Sequence, residues 1–280
     1  MIRMMRACVA RVLALAGLWI TANVDAQENF VGYWAPLYHE DFEERLPGPW
    51  IGDYLGLPIN AAARLRAESW DASLLSLPEH QCKPHPSTYG FRGIGLLRVW
   101  EDRSPETQEV VKLHTWIAWQ EQRREIWMDG RPHPPTYARH TWQGFSTGSW
   151  ENGVLTVRTT HLKDGWVRRN GAPLSDRATM TERFYRHGDL LTHVMAIEDP
   201  VYLTEPLVKS NGFALVTNPS LDPYPCEAVV EVVRPEGFVP HHLPGQNPFL
   251  AEFPTMHGLP LEAAQGGAAT ALPEYAERLR

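Results

Sequence analysis

Cysteine is nearly absent, with three residues in a chain of 280. None forms a CxxC pair, and no HExxH, EF-hand or P-loop motif occurs. The short-spaced signatures of metal, calcium and nucleotide-phosphate sites are therefore missing. Basic runs are missing too. The formal net charge is −7, and an acidic chain without Lys/Arg clusters is unsuited to nucleic acid. Past the N-terminal segment no apolar run approaches the roughly 20 residues of a membrane-spanning helix, so no stable membrane anchor is expected.

What is present begins with MIRMMRACVARVLALAGLWITANVDAQ. Arg3, Arg6 and Arg11 form a positive head, Val12 to Ile20 an apolar core, and Val24 and Ala26 the small residues of a cleavage site before Gln27. These occur in the order of a secretory signal, so residues 1–26 are expected to be removed and the mature chain to be periplasmic or secreted. Cys8 leaves with the signal. Cys82 and Cys226 remain, either bridged or as two buried thiols. An oxidising compartment favours the bridge, whose long loop would be worth about 3–5 kcal/mol.

Residues 27–94 read as an extended, proline-containing arm followed by one short helix. Asn60 is placed to cap a helix through AAARLRAESWDASLL, with Ala62, Leu65 and Leu74 in its apolar stripe. Over about 95–239 the pattern alternates with period two in runs rich in β-branched and aromatic residues, broken by turn signals. Connections are mostly too short for helical crossovers, so the expected fold is mainly β: an antiparallel barrel or curled sheet, since closure removes exposed edges. Residues 240–280 form a Pro/Ala/Gly-rich tail, with LPEYAERLR as a short terminal helix.

Two hairpins assign faces. Asn152-Gly153 is a type I′ signal. A two-residue loop there puts Trp150, Leu155 and Val157 on one apolar face, and continuing by twos adds Thr159 and His161. In the second hairpin, a turn centred on His187-Gly188 sets Phe184 opposite Leu191, Met180 opposite Met195 and Ala178 opposite Ile197. Glu182 then faces His193 inside the barrel, at a spacing that allows a hydrogen bond. A carboxylate beside an imidazole can do general acid–base work, or it can be a structural ion pair filling a core. Glu182, His193 and His161 are the candidate acid–base residues.

The 12 histidines and 11 tryptophans are unevenly spread, and no Trp follows Trp166. His114, Trp116, Trp127, His133, His140, Trp142 and Trp150 fall on or beside the strands. They are the candidate lining of a cavity for a small, partly apolar or aromatic molecule. The same histidines, with Glu182, could ligate a metal, although no short ligand spacing supports this. Gly144-Phe145-Ser146-Thr147-Gly148 matches a nucleophile elbow in letters only, because a hairpin follows it where a helix is required.

The runs IWMDGRPHPP (126–135), HTWQGFSTGSWENGVLTVRTTHL (140–162), ERF (182–184), DPVYLTEP (199–206) and YHEDFEERLPGPWIGDYLGLPIN (38–60) resemble a family of exported bacterial proteins with a lipocalin-like (calycin-type) β-barrel. The resemblance implies barrel and export and carries no activity. Three functions follow from the whole sequence: an exported barrel binding a small molecule with Glu/His acid–base capacity, a histidine-ligated metalloenzyme, or a carrier or envelope protein without turnover. No cofactor and no oligomeric state is specified.

Overall fold

The computed structural model describes residues 28–38, 45, 48–220, 227 and 232–280. The signal segment and Cys226, with its expected bridge to Cys82, lie outside the described residues. The strands are β1 Gly32–Leu37, β2 Leu97–Arg103, β3 Val110–Ile117, β4 Gln122–Trp127, β5 Phe145–Glu151, β6 Val154–Thr160, β7 Gly165–Trp166, β8 Pro173–Leu174, β9 Thr179–His187, β10 Leu190–Glu198 and β11 Leu207–Val216; all but β1, β7 and β8 fall on the expected alternating runs. Nine of them close a barrel in the order β1-β11-β10-β9-β6-β5-β4-β3-β2, while β7 and β8 form a small separate pair. The protein is a mainly β, lipocalin-like barrel.

Two features differ from the sequence reading. First, β1 comes from the proline-containing arm, and its pairing with both β11 and β2 closes the barrel. Second, β4 and β5 pair in parallel, through Ile126–Ser146 and Trp127–Thr147. A parallel neighbour needs a chain that returns to the starting end. Here residues 128–144 make that return as an irregular loop, and they carry His133 and His140 with them.

The Asn152-Gly153 hairpin has the expected register, with Glu151 opposite Val154 and Trp150 opposite Leu155. Both turn residues have positive φ, 51° and 76°, as a type I′ turn requires. The second hairpin is displaced by two residues from the expected register. Its turn is Gly188-Asp189, so His193 lies opposite Phe184, and Glu182 opposite Met195. Gly188 has φ 60° and is the first central residue, the position where a type II′ turn takes glycine. A shift of two preserves every face. Glu182 and His193 therefore remain inside together, as diagonal rather than direct neighbours.

Helix α1, Ala61–Glu68, starts at Asn60, whose side chain accepts from the Ala63 amide. It buries Ala63 and Ala67, whereas Leu65 is exposed. With Tyr54, Leu57, Ile59, Leu162, Leu174 and Met180, these alanines form a second apolar cluster beside the barrel core. A short helix α2, Pro78–Gln81, leads to α3, Ser87–Gly90. Phe91, just after α3, enters the barrel edge-on against His193, Phe184 and Phe213. The tail carries α4 Glu252–His257, α5 Leu261–Ala264 and α6 Pro273–Arg278. No helix among the described residues is long and apolar enough to cross a membrane.

Candidate functional site

Among the described residues, inward side chains pack the barrel interior closely. The void enclosed by Phe30, Leu97, Val99, Leu113, Thr115, Ile126, Leu155, Phe184 and Leu191 measures about 10 Å³, about the space of one water. Below it the inward positions of β4, β9, β10 and β11 hold Arg124, Glu182, His193 and Asn211, all buried. Arg124 Nη1 donates to Glu182 Oε1 at 2.9 Å, and its Nη2 pairs with Oε2. Its Nε donates to Ser146 Oγ at 3.0 Å and its Nη2 to Thr159 Oγ1 at 2.6 Å. Ser146 is thus a strand residue pointing into the core, which disposes of the nucleophile-elbow match.

The other end of this network fixes the protonation of His193. Buried Arg45 donates through Nη2 to Asn211 Oδ1 at 3.0 Å. Asn211 must then direct its Nδ2 at His193 Nδ1, 3.0 Å away. With Nδ1 accepting, the imidazole proton sits on Nε2 and is donated to Glu182 Oε1 at 3.0 Å. Burial pushes the His193 imidazole below its ordinary pKa, against the pull of Glu182. Burial raises the Glu182 carboxyl, but Arg124 outweighs it through charge and hydrogen bonds and holds the pKa at about 2. The counter-ion of Glu182 is therefore Arg124, and His193 is a neutral donor. Glu182 and His193 have no exposed surface, so they hold the wall together and cannot reach a solute.

His161 does not join them. Its backbone turns left-handed, φ 58°, one residue beyond the end of β6. The alternation breaks there, and the ring goes to the outer wall. There it meets His133 and His140 in a cleft of about 450 Å³ lined also by Pro134, Thr136, Arg158, Thr160, Asp176, Arg177, Ala178 and Thr179. The return loop 128–144 forms one bank, and the segment leading into β9 forms the other.

The hydrogen bonds in this cleft have one consistent direction when all three rings are neutral. His161 Nε2 lies 2.9 Å from the Pro135 carbonyl and must donate. Its Nδ1 then accepts from the Thr160 hydroxyl at 2.7 Å. That hydroxyl in turn accepts from His133 Nδ1–H at 2.7 Å, and His133 Nε2 accepts from Thr147 at 2.9 Å. Burial first, then Arg158 and His161, lower the His133 pKa, which agrees with a neutral ring. His140 donates from Nδ1 to the Leu162 carbonyl at 2.8 Å. Its Nε2 has no protein partner among the described residues. The ring stands 5.2 Å from His161, centroid to centroid. Two histidines are thus saturated as scaffold, and the third presents a lone pair.

The remaining expected lining residues lie elsewhere. His114, Trp116 and Trp127 alternate with the inward Leu113, Thr115 and Ile126, so they face outward. His114 stacks on Trp100 and bonds Asp102 at 2.8 Å. Trp127 is covered by Lys112 and Arg131. Trp142 lies between Lys83 and Lys163. Trp150 faces in, at the opposite end, stacked on Phe30 at 5.0 Å. An aromatic-lined interior cavity is therefore not formed by these residues, because parity sends three of them to the outer face. No group of three or more His, Cys, Asp or Glu side chains converges as a metal site among the described residues.

Arg124 and Asn211 are signalled by the strand alternation as well. Arg124 is in phase with Ile126, and Asn211 with Leu207 and Phe213, so each is a polar residue on an apolar face. Comparison with protein-family models, with curated proteins and with solved structures found no match.

Proposed function

We propose that this protein is an exported β-barrel that binds a small molecule in the histidine cleft on the barrel's outer wall, between loop 128–144 and the start of β9. The observation that carries the reading is the directed hydrogen-bond chain through His133, Thr160 and His161, which leaves His140 Nε2 as the unspent group. The cleft volume falls within the range of small-molecule sites. Arg158 and Arg177 supply positive charge at its edge. Pro134 and Ala178 supply apolar wall. His140 Nε2 is free to exchange a hydrogen bond with a ligand hydroxyl. The matching ligand is small and carries both an anionic group and a hydroxyl. Any proton transfer would run through His140, because Glu182 and His193 are sealed in the wall. The signal-like N-terminal segment supports reading this binding as extracytoplasmic.

The test is calorimetric titration of the mature chain with 4-hydroxybenzoate and with benzoate. The hydroxyl compound is expected to bind more tightly, and His140→Phe to erase that preference. Arg158→Ala is expected to weaken both compounds. Equal binding of both by the parent protein and by His140→Phe would reject the reading.

A further inference from the structure

A second group of side chains, adjoining this cleft where Thr141 bridges Leu162, has the makings of a ligand site. Rings and cations form a continuous series of contacts, running from Lys163 to Arg169. Lys163 Nζ stands 5.1 Å from the Trp142 ring and Lys83 Nζ 5.0 Å from it. Lys83 Nζ also lies 5.9 Å from Trp166. Trp166 meets His85 edge-on at 5.3 Å, and His85 meets Trp119 at 4.6 Å. Arg169 closes the series 5.2 Å from Trp119. Lys163, Trp142, Lys83, Trp166, His85, Trp119 and Arg169 thus form one ladder.

Two properties of the ladder are unusual. It contains three cations, and among the described residues no carboxylate pairs with any of them. Like charges gathered on these rings repel, against the cation–π attraction each gains from its ring. Behind the cations lie polar atoms without protein partners. His85 is 2% exposed and Trp166 6%, yet among the described residues both ring nitrogens of His85 and the Trp166 indole Nε1 lack a hydrogen-bond partner. Ser87 Oγ and Thr88 Oγ1, on α3 beside His85, lack one too. A neutral imidazole always retains one N–H, and leaving such a donor buried without an acceptor is destabilising.

We propose that this ladder binds an oxyanion, placed between the Lys83 and Lys163 ammonium groups and hydrogen-bonded by buried N–H donors of the His85–Trp166 pair. Lysine ammonium groups act on phosphate as point charges, so inorganic phosphate is the minimal probe. The bound anion removes the Lys83–Lys163 repulsion and fills the missing acceptor positions together. This site shares no lining residue with the histidine cleft, and its ligand need not be the same molecule.

The experiment follows indole N–H resonances of the full mature chain during phosphate titration, against sodium chloride at equal ionic strength. Phosphate is expected to shift the Trp142 and Trp166 signals, identified with Trp142→Phe and Trp166→Phe, at concentrations where chloride does not. Lys83→Gln/Lys163→Gln keeps the stems over the rings and is expected to weaken phosphate at least tenfold. Without phosphate, the same double variant is expected to melt higher than the parent, since repulsion is relieved, and to lose that advantage when phosphate is added. Equal responses to phosphate and chloride, or equal phosphate affinity in parent and double variant, would overturn the proposal.

Discussion

Glu182 is the residue on which the interior depends. It accepts two bonds from Arg124 and one from His193 in a site without water access. Replacing it by Gln keeps the shape and leaves the Arg124 guanidinium without a counter-charge. Breaking a buried pair in this way costs about 3–5 kcal/mol. We expect Glu182→Gln to lower stability by that order in urea unfolding and to leave affinity at the histidine cleft unchanged. The carboxyl also sets a pH dependence. Its pKa is about 2 in the fold against an ordinary 4.5. The stability it supplies is complete above about pH 4.5 and is lost as pH falls toward 2. His85 adds an earlier loss. Burial, then Arg169 and Lys83, depress its pKa from 6.5 to about 3. The unfolded chain therefore takes up that proton first, and stability falls as pH drops from about 6.5 to 3. His85→Phe is expected to flatten this limb of a stability-versus-pH curve; an unchanged slope would place the acid sensitivity elsewhere. At this scale the sequence was half legible. Parity identified Glu182 and His193 as inward. Nothing in PEHQCKPHPSTYGF marked His85 as buried, because an irregular segment has no period from which burial can be read.

At the scale of elements, turns decided register and parity decided faces. The Asn-Gly turn was read correctly because both its residues advertise positive φ. The second turn was placed one position too early, since His187-Gly188 and Gly188-Asp189 put the same glycine in different roles. Apolar burial could not separate them, because a shift of two leaves Met180, Phe184, Leu191 and Met195 inside. Gly153 and Gly188 have no neighbour within 4 Å of a built Cβ. An alanine at either site therefore meets only the backbone penalty of the left-handed region, about 1–2 kcal/mol. We expect Gly153→Ala and Gly188→Ala each to lower the denaturation midpoint accordingly with an unchanged slope in denaturant. A larger loss, or a changed slope, would mean that the hairpin register itself moved. His161 shows the limit of counting by twos. Strand alternation ends where the backbone turns left-handed, and a histidine can do that without glycine's help.

For the whole molecule, the barrel was legible and its closure was not. Short alternating runs with few crossovers favour closure, but the closing strand, GYWAPL, sits among prolines that read as an arm. The return loop 128–144 was equally hidden, since it carries no regular pattern. It brings His133 and His140, distant in sequence from His161, onto one outer wall. The same topology explains why the expected interior site moved. Among the described residues, Phe91, the inward aliphatic side chains and the Arg124–Glu182–His193 network pack the barrel interior, and the open cleft lies on the outer wall. Export belongs to this scale as well. Intact mass of secreted material is expected to show a chain beginning at Gln27, and retention of residues 1–26 would contradict the signal reading. The claim that ligand binds on the outer wall and not inside is tested most directly by histidine ring NMR. Ring nitrogen and carbon-bound proton signals would be followed while 4-hydroxybenzoate is added to the mature chain. The account predicts that the His140 signals move first and furthest, with smaller changes at His133 and His161 and none at His193. Movement of His193 with His140 unaffected would contradict it.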